Sequence, residues 1–213
     1  MNCRLCNWPG AALCERCLDD IPSPDPACEF CHTGLAVPAP RCGICLDWSI
    51  PARVACPYGF PLDQLLGRFK YQRELSLLPA LSAILRRIAL PDDDWLCVPV
   101  PLHRQRLAER GFNQAALLAK SLAQRRGWSY APDGLLRLRH TPPQVGLQGN
   151  ARRANVEGVF RAQRWFASRP VLIVDDVITT GATLQAAGQV VRQAGASRIV
   201  GVAVARAGYA ASA

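Results

Sequence analysis

Val171-Leu172-Ile173-Val174-Asp175-Asp176-Val177-Ile178-Thr179-Thr180-Gly181-Ala182-Thr183 decides how this chain is read. Its first four residues are apolar and β-prone, as in a strand buried on both faces of a parallel sheet. The chain is then expected to turn through two carboxylates and a Thr-Thr-Gly-x-Thr cluster, with a helix following from Ala182 through Val191. A strand, a polar loop and a helix N-terminus in that order make an anion site. Unpaired backbone N–H groups and hydroxyls converge there, and the helix dipole favours negative charge. Gly181 lets the backbone approach a phosphate closely. Asp175 and Asp176 can accept hydrogen bonds from vicinal sugar hydroxyls, so the ligand these residues fit is a phosphorylated sugar.

The stretch resembles the phosphoribosyl-pyrophosphate (PRPP) loop of type I phosphoribosyltransferases: four apolar residues, two acids, two variable residues, then Thr-Thr-Gly-x-Thr. The resemblance implies that Asp175 and Asp176 hold the ribose hydroxyls of Mg²⁺-bound PRPP. Thr179, Thr180, Gly181 and Thr183 would wrap its 5′-phosphate. It also implies the fold, a mostly parallel α/β sheet flanked by helices.

Working outward, 213 residues allow one domain of ordinary size and a small one. Half the residues are hydrophobic, yet no apolar run approaches the roughly 18 residues that span a membrane. Met1-Asn2-Cys3-Arg4 has no signal-peptide core behind it, so a cytoplasmic location is expected. In that compartment ten cysteines point to metal ligation rather than disulfides. Charge is unevenly spread. Residues 1–50 hold three Arg against six carboxylates, whereas residues 101–170 hold 13 basic against 3 acidic side chains. The second block calls for anionic partners such as phosphates, nucleotides or nucleic acid.

Residues 1–50 carry four Cys-x-x-Cys knuckles: Cys3 and Cys6, Cys14 and Cys17, Cys28 and Cys31, Cys42 and Cys45. Eight thiolates make two closed tetrahedral sites, which suit structural zinc and leave no open position for catalysis. Iron–sulfur ligation is the alternative for the same thiolates. Spacing allows sequential pairing of the knuckles or a cross-braced arrangement. With few large apolar residues and many Pro and Gly, this part draws much of its folding energy from metal. Cys97, in an apolar strand, reads as an inert core thiol. A join over 47–57 separates a ribbon (1–50) from an α/β domain (56–213).

In the second part Leu62, Leu65, Leu66 and Phe69 mark one face of a helix, and a second helix is expected over Arg73 to Ala89, with Pro79 kinking it or in its first turn. Trp95 to Val100 reads as a buried strand. Pro101, Leu102, His103 and Arg104 follow as a loop placed to hold pyrophosphate, with Arg104 and Arg106 neutralising charge. Asn113 caps a helix that Gly127 stops. The polar segment 139–155 has the length of a functional lid. Thr141 and Gln144 are its ligand-facing candidates, with Arg152 and Arg153 as phosphate or nucleic-acid contacts. In this alternation of strands and helices, ligand sits outside the strands' carboxyl ends.

Taken together, the four knuckles, Phe69-Lys70-Tyr71, Val98-Pro99-Val100-Pro101-Leu102-His103-Arg104, Arg110-Gly111-Phe112-Asn113-Gln114, Thr141-Pro142-Pro143-Gln144-Val145-Gly146-Leu147 and the Asp-Asp loop resemble the ComF family of competence-associated, phosphoribosyltransferase-like proteins. That resemblance implies an N-terminal double zinc ribbon and a role in handling single-stranded DNA during natural transformation. Two functions of different class follow. One is a DNA-handling protein whose Arg104, Arg106, Arg110, Arg152 and Arg153 track phosphates, with Phe112, Trp128, Tyr130 and Trp165 as stacking candidates and PRPP as a bound regulator. The other is an active Mg²⁺-dependent transferase of amidophosphoribosyltransferase type, in which Asp175, Asp176 and Arg104 promote loss of pyrophosphate to an unidentified acceptor. The basic middle block favours the first. The acidic ribbon fits a protein partner, a DNA-uptake helicase or another competence protein, better than DNA.

Overall fold

Apolar runs and amphipathic segments alternate along the second part of the chain. In the computed structural model, which describes residues 1–139 and 158–208, they build one parallel sheet. The strands are β1 (Ala52–Pro57), β2 (Leu96–Pro99), β3 (Ser129–Tyr130), β4 (Leu135–Arg137), β5 (Phe160–Ala162), β6 (Pro170–Ile178) and β7 (Arg198–Arg206). Five of them form the sheet in the order β1-β7-β6-β2-β3, and β4 pairs with β5 as a separate antiparallel ribbon. The helices are α1 (Glu15–Asp19), α2 (Leu62–Tyr71), α3 (Leu78–Leu85), α4 (Arg104–Arg110), α5 (Gln114–Arg126) and α6 (Ala182–Gln193). Leu172, Val174, Val202 and Val204 face α2, α3 and α5, while Val171, Ile173 and Ala203 face α6 and the β4–β5 ribbon. No helix among the described residues is long and apolar enough to cross a membrane.

Three elements differ from expectation. First, β6 does not end at Val174. Its pairing with β7 runs on through Asp175↔Ala203, Val177↔Ala205 and Ile178↔Arg206, so both carboxylates lie within the strand. β-branched Val177 and Ile178 keep the chain extended there, and β7 is long enough to pair with it. Second, the helix expected over 73–89 is confined to Leu78–Leu85. Arg73 has a left-handed φ of 55°, and Pro79 occupies the first helical turn, where its missing N–H costs no hydrogen bond. Third, the segment after β2 is a loop only to His103, because Arg104–Arg110 is helical and closed by Gly111 at φ 82°.

The cysteine-rich segment straddles the sheet's edge. Its first cluster packs with Leu13 and Ile21 into the core under α2 and α3, and its second packs with Trp48 and Ile50 on the α6 side. Arg87 donates to the Ile21 carbonyl at 3.0 Å, and Arg4 pairs with Glu74. β1, inside the stretch read as the join, is an edge strand, and the ribbon covers it. Ala52 N–H donates to Phe30 O at 2.8 Å, and Val54 N–H donates to His32 Nδ1 at 3.3 Å. Such covering protects an edge that would otherwise template intermolecular pairing.

Candidate functional site

The Thr-Thr-Gly-x-Thr loop sits at the carboxyl end of β6. Thr179 is exposed and Thr180 and Thr183 are half-buried around Gly181, which is the N-cap of α6 at φ 79°. Gly181 has no side chain to cap the first-turn N–H groups, and Ala182 N–H donates to Thr180 Oγ1 at 3.5 Å. A positive φ is one reason for glycine here, and Trp48 is another. A Cβ at residue 181 would come within 1.9 Å of Trp48 Cζ2. Trp48 belongs to a strap that continues along α6. Gln185 Oε1 accepts from Ser49 and Ile50 N–H at 2.8 and 3.0 Å, its Nε2 donates to Ile50 O at 2.8 Å, and Arg192 donates to Ser49 O at 3.0 Å. Beneath Trp48, buried Arg206 places its guanidinium 4.8 Å from the indole.

Strand geometry sends successive side chains to opposite faces, so the two aspartates have different surroundings. Asp176 is buried and forms an ion pair with Lys70 Nζ of α2 at 2.5 Å. Its other oxygen accepts from Val177 N–H at 2.9 Å. Burial opposes the Lys70 charge, but Asp176 outweighs it and holds the ammonium above its usual pKa. Asp175 faces the other way, and its Oδ1 accepts from Asp176 N–H at 2.8 Å. Burial, and then the neighbouring Asp176 charge, push its carboxyl well above the usual carboxylate range. Arg137 of β4 is close enough to feel Asp175 and Arg106, with burial the largest influence on it. Lys70 and Arg137 were given no site role in the sequence reading. The signal for Lys70 was its rarity, since it is one of only two lysines in the chain.

The loop from β2 reaches the same place. Val100 N–H donates to Val174 O at 2.9 Å, which sets Pro101 and Leu102 beside the aspartates. Asn113 Oδ1 accepts from Ala115 and Ala116 N–H as the expected cap, and its Nδ2 donates back to Val100 O at 3.0 Å. His103 caps α4 by accepting from Gln105 N–H at 3.3 Å. Arg104 is exposed, whereas Arg106 and Arg110 are half-buried. Arg104 and Arg106 are two apart on a helix and cannot face the same way, whereas Arg106 and Arg110 share a face. Arg110 lies over the exposed Tyr71 ring at 5.5 Å. Thr141, Gln144, Arg152 and Arg153 lie outside the described residues, as does most of the expected lid.

Of the rings read as stacking candidates, Phe112 packs edge-on against Phe69 at 5.5 Å, Trp128 packs against the core, and Tyr130 Oη donates to Ala116 O at 3.1 Å. Trp165 is exposed, but it packs against Gly195 at the far end of α6.

The eight knuckle cysteines converge as two sets, Cys3, Cys6, Cys14 and Cys17, and Cys28, Cys31, Cys42 and Cys45, which is the sequential pairing. Tetrahedral Zn–S bonds of about 2.3 Å put sulfurs roughly 3.8 Å apart. The Cys6–Cys14, Cys28–Cys45 and Cys31–Cys42 pairs lie at 3.6 Å, and Cys42–Cys45 at 3.8 Å. Both clusters could therefore hold zinc. Against burial, the backbone N–H groups of Cys6 and Cys14 bring the Cys3 thiol down to about 6, and those of Cys31 and Phe30 bring Cys28 to about 7. Cys56 and Cys97, by contrast, are buried in β1 and β2, and burial pushes both up to about 12. They remain thiols.

A parallel sheet with an Asp-Asp, Thr-Thr-Gly-x-Thr loop at the carboxyl end of an inner strand defines a phosphoribosyltransferase-type domain, and residues 114–210 match the phosphoribosyl transferase domain family. The chain belongs to the ComF family. It is 32% identical over 207 residues to Competence protein F of Haemophilus influenzae, across 88% of this chain and 87% of that protein. It is 31% identical to the DNA utilization protein YhgH of Escherichia coli K12, across 92% and 93%. Over 143 residues it is 31% identical to Competence protein ComFC of Bacillus subtilis, across 65% and 56%. The cysteine clusters fit the double zinc ribbon implied by the sequence.

Proposed function

We propose that this chain binds Mg²⁺–PRPP at the carboxyl end of β6 and takes part, in the cytoplasm, in handling incoming single-stranded DNA during natural transformation. The observation that carries the ligand assignment is the division of labour between the aspartates. Lys70 neutralises Asp176, while Asp175 turns its carboxyl group to the other face of the strand, near Arg137. Thr179, Thr180, Gly181 and Thr183 would hold the 5′-phosphate, and Asp175 the ribose hydroxyls, with Asp176 fixing the strand end. Pro101, Leu102 and His103 would border the pyrophosphate, with Arg106 and Arg137 supplying charge. Mg²⁺ would ride on the pyrophosphate, and two structural Zn²⁺ ions would fill the cysteine clusters. Tyr71 beside Arg110 offers a ring and a cation for a DNA base and its phosphate. The DNA role itself rests on the relatives' names and on the basic middle block.

The proximity of Asp175, Arg137 and Arg106 favours a second reading, a transferase that releases pyrophosphate while a nucleophile attacks the anomeric carbon. These residues would position substrate and stabilise charge that grows on the leaving group.

The deciding experiment is calorimetric titration of Mg²⁺–PRPP into the zinc-loaded chain and its Asp175→Asn variant, followed by a pyrophosphate-release assay. One-site binding weakened by the variant supports the ligand assignment, and absence of binding to the intact chain removes it. Pyrophosphate release separates transferase from PRPP-binding protein. Binding of a single-stranded oligonucleotide must fall steeply with salt, and a flat dependence refutes the DNA role.

A further inference from the structure

We propose that a cavity at the opposite end of the sheet from the phosphate loop is a second anion site, one that takes a mononucleotide. Its volume is about 300 Å³. Arg53 of β1, Arg192 in the last turn of α6 and Arg198 at the start of β7 line it, over an apolar floor that includes Leu90, Pro91 and Ile199. Three guanidiniums from three elements thus line one open cleft.

Their hydrogen-bond partners leave most of their donors available. Arg53 gives one N–H to Ala52 O at 2.9 Å and Arg192 one to Ser49 O at 3.0 Å, while Arg198 meets Asp93 at 3.2 Å. A guanidinium carries five N–H donors, so each retains N–H groups for a phosphate even though Arg198 also lies 5.6 Å over the Trp95 ring. Burial is the largest influence on Arg53 and pulls it below its ordinary pKa. Cys28 and Glu29 oppose that shift, and the Arg198 charge adds to it. An anion between Arg53 and Arg198 relieves both effects. The C-terminal end of α6 does not cancel this attraction, because its last carbonyls are occupied. Val190 O accepts from Ala194 N–H, Val191 O from Ala196 N–H and Arg192 O from Gly195 N–H.

The floor decides the ligand class. Inorganic phosphate would leave half-buried Leu90 and exposed Pro91 in water, whereas a nucleobase covers them while its phosphate reaches the arginines. The volume is at the lower end of the range for small-molecule pockets, roughly 300–1,000 Å³, which suits one nucleotide. The cavity and the phosphate loop lie at the two ends of α6, a separation of about 18 Å for its 12 residues. The inference is therefore independent of the PRPP assignment.

The test is calorimetry with AMP, GMP, UMP and inorganic phosphate on the zinc-loaded full chain, on Asp175→Asn, and on Arg53→Gln/Arg192→Gln. At least one mononucleotide is expected to bind one-to-one, with affinity unchanged in Asp175→Asn and reduced about tenfold or more in the arginine double variant. Zinc content and PRPP binding serve as the check on folding. If the double variant folds poorly, Arg192→Glu at an exposed position must weaken the nucleotide instead. Absence of mononucleotide binding to the intact chain overturns the proposal, as does its loss in Asp175→Asn. Equal affinity for inorganic phosphate overturns the nucleotide assignment.

Discussion

Gly181→Ala tests whether the strap from the cysteine-rich segment sits on the Thr-Thr-Gly-x-Thr loop. The added Cβ meets two obstacles. Residue 181 has φ 79°, a region that costs a non-glycine residue roughly 1–2 kcal/mol. The new methyl would also lie 1.9, 2.3 and 2.7 Å from Trp48 Cζ2, Cη2 and Cε2. Trp48 is a rigid bicyclic ring that is 8% exposed and stacked over Arg206, so it cannot yield like the end of a flexible chain. Overpacking of this kind costs about 1–3 kcal/mol. The expected total is about 2–5 kcal/mol, or roughly 4–20 °C in unfolding temperature for a chain of this size. The assay is a double-mutant cycle by urea unfolding of zinc-loaded protein, with Trp48→Ala as the second substitution. Removing the indole abolishes the clash and leaves the backbone strain, so Gly181→Ala in that background should cost only about 1–2 kcal/mol. An equal cost in both backgrounds, within about 0.5 kcal/mol, would refute the contact and with it the docking of the strap on the loop.

Four further outcomes follow from the same geometry. Lys70→Met should destabilise by about 3–5 kcal/mol by leaving buried Asp176 unpaired, and Lys70→Met/Asp176→Leu should recover much of it, as thermal unfolding would show. Because pairing raises the Lys70 pKa, the pair's contribution persists through neutral pH and is lost only as the pH climbs past that value, above the ordinary 10.5. Asp175 has a raised folded-state pKa, so its ionisation lowers stability as pH rises through that value. Asp175→Asn should therefore raise the unfolding temperature at neutral pH while weakening Mg²⁺–PRPP and flattening the rise of its affinity with pH. Arg137→Gln should weaken PRPP about tenfold, the loss of one charge-assisted hydrogen bond, with little change in zinc content. Chelation should release two Zn²⁺ per chain, read by atomic absorption, and lower the unfolding temperature, because both clusters pack into the sheet's cores.

The local rules of the chain were legible without coordinates. Four knuckles at short spacing point to two metal-binding thiolate sets. An apolar run followed by Asp-Asp and Thr-Thr-Gly-x-Thr needs a strand, a loop and a helix N-terminus. Leu62, Leu65, Leu66 and Phe69 at helical spacing announced α2, and Asn113 announced the start of α5. These readings depend on residues within a few positions of one another, and the physics that decides them has the same range. Tertiary structure decided what depends on long-range placement. Pairing with β7 carries β6 through its carboxylates, and strand alternation then commits Asp176 to Lys70, more than a hundred residues away, and leaves Asp175 on the other face. Sequential rather than cross-braced cysteine sets, the strap on Gly181, and Arg137 near Asp175 have the same origin. So does the gathering of Arg53, Arg192 and Arg198. Each joins segments whose separation along the chain carries no periodic or spacing signal, and packing of the two faces of one sheet brings them together.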